Sequence, residues 1–211
     1  TCWCNGHGHQ IYKHPGRVAC GISHYLVYKD ILERRFKKCL ILEDDFIIHR
    51  NVDRIFAHLH KGIPPNWELL FLANAFWIRK YPKKFTEYNS NFLKCIDGCQ
   101  SAACYAINDT CARVLYDNFL PFRAAADGYI TVCISKMNKI NHAYICTRNF
   151  GNNGSTNPNT HKKFRSAVDL DVSETDQSEE LNTELQGLVS KYEKCDMDAV
   201  YALASLCPLC T

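Results

Sequence analysis

The chain of 211 residues carries 25 basic and 22 acidic side chains, a net charge of +3, and 46% hydrophobic residues. That much apolar matter can bury a sizeable core and excludes a chain disordered by composition. The near-balance of charge gives no support to a nucleic-acid or membrane-surface partner, and no apolar run reaches the roughly 18 residues of a membrane-spanning helix.

The chain starts Thr-Cys-Trp-Cys, without Met or a signal-like apolar stretch, which reads as a piece of a longer or processed protein. Thirteen cysteines are spread along it, and Cys39, Cys104, Cys133 and Cys146 sit in apolar contexts where a free thiol packs as a small core residue. Cys2-x-Cys4 with His7 and His9, and Cys207-x-x-Cys210, could complete a zinc site across the termini. Free or partly oxidised terminal thiols are the simpler reading, because there is no second C-x-x-C.

From Ser23 to Lys38 the apolar residues Leu26, Val27, Ile31, Leu32 and Phe36 recur at helical steps, with Ser23 as the expected N-cap. Cys39 to Leu42 then reads as a buried strand. A second helix is predicted over Asp53 to Lys61, followed by a Pro-Pro loop and a second oily strand, Trp67 to Ala73. Helices alternating with buried strands predict an α/β sheet covered on both faces.

Asn74 to Cys99 scatters Phe76, Trp77, Tyr81, Phe85, Tyr88 and Phe92 among Lys and Asn, as either a folded insert or a binding loop would. Ser101 to Ile107 predicts a strand, and Asn108 or Asp109 caps a helix running through Asn118. Pro121 breaks the chain before Asp127, which opens another helix. Ile140 to Cys146 gives a last strand, and NFGNNGSTNPN after Arg148 reads as a turn-rich loop without core signal. Asp169 to Glu184 is an acidic linker, and two amphipathic helices follow that could cap the sheet or pack on a second copy of the chain.

The stretch KKCLILEDDFII ends its oily run on Glu43, Asp44 and Asp45. Adjacent carboxylates repel one another and are costly to desolvate unless a cation sits among them. Strand alternation would place Glu43 and Asp45 on one side and Asp44 on the other. Hard oxygen ligands without Cys or His nearby favour Mn²⁺ or Mg²⁺ over zinc, with diphosphate oxygens filling other positions. From spacing alone, acids simply facing water at the end of a strand are an equal alternative.

The ordered series GRVACGISH (16–24), LILEDD, NWELLFLA, SAACYAIND and Asp127 in AADGYI resembles glycosyltransferase family 25, which includes lipooligosaccharide and procollagen galactosyltransferases. The resemblance covers about residues 16–157. It implies a GT-A-type, Rossmann-like nucleotide-sugar transferase fold with a mostly parallel sheet. Residues 1–165 would form the catalytic domain and 166–211 the linker and helical appendage.

It further implies a UDP-sugar donor, Mn²⁺ (or Mg²⁺), and inverting transfer of a hexose, galactose or glucose, to a glycan or a hydroxylysine-containing protein. Carried over, Asp45 and Glu43 match the metal ligands, and Ser23, His24, Glu43 and Asp44 the donor-binding set. Asp127 matches the base, against an acceptor-orienting or capping role. His24 without the motif would read as a helix histidine bonded to a backbone carbonyl. Asn152, Asn153, Ser155 and Thr156 could contact donor or acceptor, a solvated turn being the other reading.

Family members typically open with a strand resembling "vfvINL", where this chain has TCWCNGHGH. A catalytically inactive sugar- or protein-binding domain is therefore the alternative function. Sequons stand at Asn108 and Asn153. The unpaired cysteines point to the cytoplasm, with the endoplasmic reticulum lumen as the alternative compartment.

Overall fold

The computed structural model describes residues 15–154 apart from 74, 101, 121 and 123. The terminal cysteine clusters, the acidic linker, the C-terminal helices, and Ser155 and Thr156 lie outside the described residues.

Helix α1 spans Pro15–Glu33, well ahead of the start that Ser23 as a cap would give. Ser23 is instead mid-helix, its hydroxyl donating to the Ala19 carbonyl one turn back at 3.0 Å. A serine hydroxyl can bond the i−4 carbonyl as readily as it caps. Proline at the first helical position supplies the start, since its missing N–H needs no partner there. The buried face runs Val18, Gly21, His24, Tyr28, Ile31. Past the helix, Arg35 takes a left-handed φ of 60° and turns the chain into the sheet.

The strands are β1 (Lys38–Leu42), β2 (Phe46–Ile48), β3 (Leu69–Phe71), β4 (Phe85–Glu87), β5 (Phe92–Cys95), β6 (Cys104–Asn108), β7 (Ala143–Cys146) and β8 (Gly151–Asn153). The remaining helices are α2 (Val52–His60), α3 (Ala75–Lys80), α4 (Asp109–Phe119) and α5 (Ala126–Ser135). Six strands form one sheet in the order β1-β6-β3-β7-β5-β4, and β2 pairs with β8 in a second, two-stranded sheet.

The main sheet is mixed. β1 and β3 both run antiparallel to β6, β7 is parallel to β3, and β5 lies antiparallel to both β7 and β4. Thus β1, β3, β7 and β4 share a direction, as in a mostly parallel sheet, but β6 and β5 run against them. Only the β3/β7 pairing is itself parallel. A buried strand reads as the same oily run in either direction, so its hydropathy carries no sign of orientation.

Alternation along the central strands feeds two cores. Cys39, Ile41, Leu69, Phe71, Tyr105, Ile107, Ala143 and Ile145 face α1, α4 and α5, where Tyr28, Ile31, Cys111, Leu115 and Ile130 cover them. Leu70, Leu72, Cys104, Ala106, Tyr144 and Cys146 face the other side, against Leu59 of α2, Trp67 and Phe150. Helices on both faces are therefore present, as the alternation predicted.

Asn108 caps α4, its side-chain oxygen accepting from the Cys111 N–H at 2.8 Å. Its amide donates to the Trp67 carbonyl at 3.0 Å, so the first sequon's side chain is used inside the fold. The aromatic stretch 74–99 is a folded insert: α3, a short 3₁₀ turn at Pro82–Lys84, and the edge hairpin β4–β5. The segment after Arg148 does carry core. Phe150 is buried at 3% exposure, and Asn152 and Asn153 pair with Ile47 and Phe46 rather than lying in a solvated turn. No described helix is long and apolar enough to cross a membrane.

Candidate functional site

Because β1, β3 and β7 point the same way, their C-terminal ends line one edge of the sheet, where open α/β sheets bind ligands. Glu43 follows β1 there, its N–H donating to the Ala103 carbonyl at 3.0 Å. That bond extends the strand by one residue and keeps Glu43 on the α1 face, in step with Cys39 and Ile41.

Alternation stops at that point. The Phe46 N–H donates to the Glu43 carbonyl at 3.1 Å, closing a turn with Asp44 and Asp45 at its corners. The extended geometry that would have set Glu43 and Asp45 on one side is replaced by a reversal of the chain. Asp44 is exposed, while Glu43 and Asp45 are half-buried. The turn is held from across the sequence: the Gly154 N–H donates to the Asp45 carbonyl at 2.8 Å and the His49 N–H to the Phe150 carbonyl at 2.7 Å.

Behind Glu43 lies a polar chain in an otherwise apolar core. His24 is 5% exposed, with Nε2 3.5 Å from Glu43 Oε1 and Nδ1 2.7 Å from the Tyr105 hydroxyl. The Tyr105 hydroxyl lies 2.9 Å from that of Tyr28. When Nε2–H faces the carboxylate, Nδ1 accepts from Tyr105 and Tyr105 accepts from Tyr28, so every donor in the row points toward Glu43. Both tyrosine hydroxyls are held far above their usual ionisation range, first of all by complete burial. They therefore stay neutral and serve only as hydrogen-bonding groups.

Cys20, one turn before His24 on α1, places Sγ 3.9 Å from Glu43 Oε1. Its thiol is pushed up to about 12, by desolvation first, then by the charges of Glu43 and Asp127, a hydrogen bond to Glu43, and Asp44. Charge from the β1 end and from the start of α5 therefore reaches this thiol, Glu43 alone being in contact with it. Asp127 lies in the first turn of α5, where a carboxylate is favoured by the helix dipole, and its Oδ1 accepts from the Gly128 N–H at 2.7 Å.

The structure thus brings His24 and Cys20 to Glu43, with Asp44 and Asp45 on the turn that follows it and Asp127 in the first turn of α5. Ser23 is exposed, one turn of α1 beyond Ala19, to whose carbonyl its hydroxyl donates. The carboxylates of Glu43, Asp44 and Asp45 offer the oxygen donors that suit Mn²⁺ or Mg²⁺. The premise that no Cys or His stands nearby does not hold, since Cys20, His24 and Glu43 have ligand atoms within 4.8 Å of one another. Cys20, Tyr28 and Tyr105 are the residues sequence reasoning passed over. The four-residue step from Cys20 to His24 was the available signal for the first, because such a step puts two side chains on one helix face.

Against known proteins, residues 14–130 match the family model described as glycosyltransferase family 25 (LPS biosynthesis protein). Procollagen galactosyltransferase 2 of Homo sapiens is 27% identical over 82 residues, 37% of this chain and 13% of that protein. Its counterpart in Mus musculus is 29% identical over 72 residues, 33% of this chain and 12% of the relative. The matched segment thus spans about an eighth of those proteins' length. An α/β sheet with carboxylates at a strand end, covered by the family model over more than half its length, places the chain in the glycosyltransferase class. The chain belongs to glycosyltransferase family 25.

Proposed function

We propose that this chain is the donor-binding and catalytic part of an inverting, metal-dependent hexosyltransferase with a GT-A-type, Rossmann-like fold. It takes galactose or glucose from a UDP-sugar and passes it to a hydroxyl of a glycan or of hydroxylysine in a protein. The observation that carries the reading is the turn of Glu43, Asp44 and Asp45 at the C-terminal end of β1, in a chain whose residues 14–130 match the family model.

Inverting transfer needs two things on opposite faces of the sugar: neutralisation of the departing diphosphate and a base at the attacking hydroxyl. Asp45 and Glu43 would hold Mn²⁺, which supplies the first by screening the diphosphate charge. Asp127, kept in place by its bond from the Gly128 N–H, takes the proton from the acceptor oxygen as that oxygen attacks the anomeric carbon. His24 fixes the Glu43 carboxylate from behind, and Asp44, exposed at the turn, faces the donor's hydroxyl groups. The reading places the protein in the cytoplasm, with the endoplasmic reticulum lumen as the alternative. Cys20, Cys39, Cys95, Cys111, Cys133 and Cys146 are free thiols, which favours a reducing compartment.

The test is UDP release from a panel of UDP-sugars with acceptor and Mn²⁺. Release should require the metal and vanish in Asp45→Ala. Transfer retained in that variant removes the metal assignment. Absence of Mn²⁺-dependent UDP binding by calorimetry would instead favour a binding domain without chemistry.

A further inference from the structure

We propose that Cys20, His24 and Glu43 form a second cation site, for a borderline transition-metal ion of the zinc class, alongside the hard-cation site proposed at Asp45 and Glu43. Sulfur, imidazole nitrogen and carboxylate oxygen together are a donor set that Mn²⁺ and Mg²⁺ do not prefer and zinc does.

The geometry is close to what such an ion needs. Ligand atoms about 2.0–2.3 Å from a tetrahedral zinc lie roughly 3.3–3.7 Å apart. Here Nε2 of His24 is 3.5 Å from Oε1 of Glu43, Sγ of Cys20 is 3.9 Å from the same oxygen, and all three atoms lie within 4.8 Å of one another. A small inward rotation of the thiol closes the set. The frame is rigid, because Cys20 and His24 share one face of α1 and Glu43 is tied to Ala103 through its backbone.

The histidine is also braced as metal-binding histidines are, by a partner on its other nitrogen. With Nε2 on an ion, Nδ1–H donates to Tyr105, whose O–H turns toward Tyr28. The two hydroxyls, 2.9 Å apart, can reverse their direction of donation, so the same row serves the empty and the filled site. As the ion binds, the Cys20 thiol loses its proton to solvent and the S–metal bond forms. Three protein ligands leave a fourth position, and the Glu43 side chain is 26% exposed, so water or a substrate oxygen can reach it. Glu43 Oε2 remains for the neighbouring turn.

The full chain is titrated with Co²⁺, which reports thiolate ligation through a near-ultraviolet charge-transfer band, and with Zn²⁺ in competition. The wild type should show the band at one equivalent and lose it to Zn²⁺. Cys20→Ser should abolish the band assigned to this site, and Cys20→Ala does the same duty if the serine variant folds poorly. Tyr105→Phe should keep the band but weaken Zn²⁺ binding by about 10-fold or more, whereas Asp45→Ala should leave band and affinity unchanged. A wild type without a thiolate band, or a band undiminished when Cys20 is replaced, overturns the proposal; the latter would come from other cysteines of the chain. Mn²⁺-dependent UDP binding, read separately in Asp45→Ala, reports on the transferase reading alone.

Discussion

Nδ1 of His24 lies 2.7 Å from the hydroxyl of Tyr105, a residue 81 positions later in the chain. The contact joins the helix that precedes the sheet to a strand near the middle of the sheet, where Tyr105 stands opposite both Ile41 and Phe71. Tyr105→Phe removes one hydroxyl and leaves two buried polar partners, His24 and Tyr28, short of a bond. The expected loss of stability is about 1–3 kcal/mol. Tyr28→Phe leaves the His24–Tyr105 bond intact and should cost less. The double variant should fall short of the sum, because the groups share one network. Urea unfolding of the three variants checks the order.

Asp127→Asn keeps the shape of the side chain and its acceptor for the Gly128 N–H while removing the base. With the proposed role, kcat should drop by about 10²–10⁴-fold with the donor KM little changed. Steady-state kinetics decide it: an unaltered kcat would return Asp127 to the part of a helix-start residue.

Gly151 sits where β8 meets β2. An added Cβ would run into the carbonyl oxygen of Ile47 and lie 2.7 Å from the Phe46 ring. Gly151→Ala should therefore prise the two strands apart, at about 2 kcal/mol. Amide exchange over Phe46–Ile48 should quicken, and Mn²⁺-dependent UDP binding should weaken although no acid has been touched. Unchanged exchange there would show that the pairing tolerates the methyl.

Alkali should unfold the protein through its thiols. Burial pushes Cys39, Cys133 and Cys146 from an ordinary value of 9.0 up to about 11, and holds Cys95 and Cys111 well above 9.0. A raised folded value means that the native state keeps its proton while the unfolded chain releases it. The stabilisation is fully present below pH 9.0 and is lost as pH rises through about 11. Urea midpoints should fall steadily across that window, and Cys133→Ala should flatten the fall. A flat profile would contradict the burial of these thiols.

Much of the architecture was legible because the central strands are covered on both faces. Cys39–Leu42, the LLF of β3, and the runs around Tyr105 and Tyr144 read as oily segments wherever they pair. Asn108 announced α4 through cap chemistry that is local. Strand order and direction were not legible, since β6 enters between β1 and β3 by long-range pairing. The edge hairpin β4–β5 was hidden by its half-exposed alternation with Lys and Glu. The first two turns of α1, PGRVACGI, bury only Val18 and Gly21, too sparse an apolar pattern to mark a helix ahead of Ser23. The acids stand out by their charge, but their arrangement does not follow from alternation, which stops at Glu43, two residues short of Asp45.

The bond from Gly154 to the carbonyl of Asp45 has a bearing on what a motif can mean here. The family match ends at residue 130, and every signature residue lies before that point. The strand that clamps the acidic turn comes after it, at Gly151–Asn153. A fragment cut at the end of the match would contain all the recognisable letters and still lack the fastening that gives them a shape. Recognition and assembly thus have different lengths in this chain, and the last stretch of ordinary-looking Asn and Gly finishes what the conspicuous acids begin.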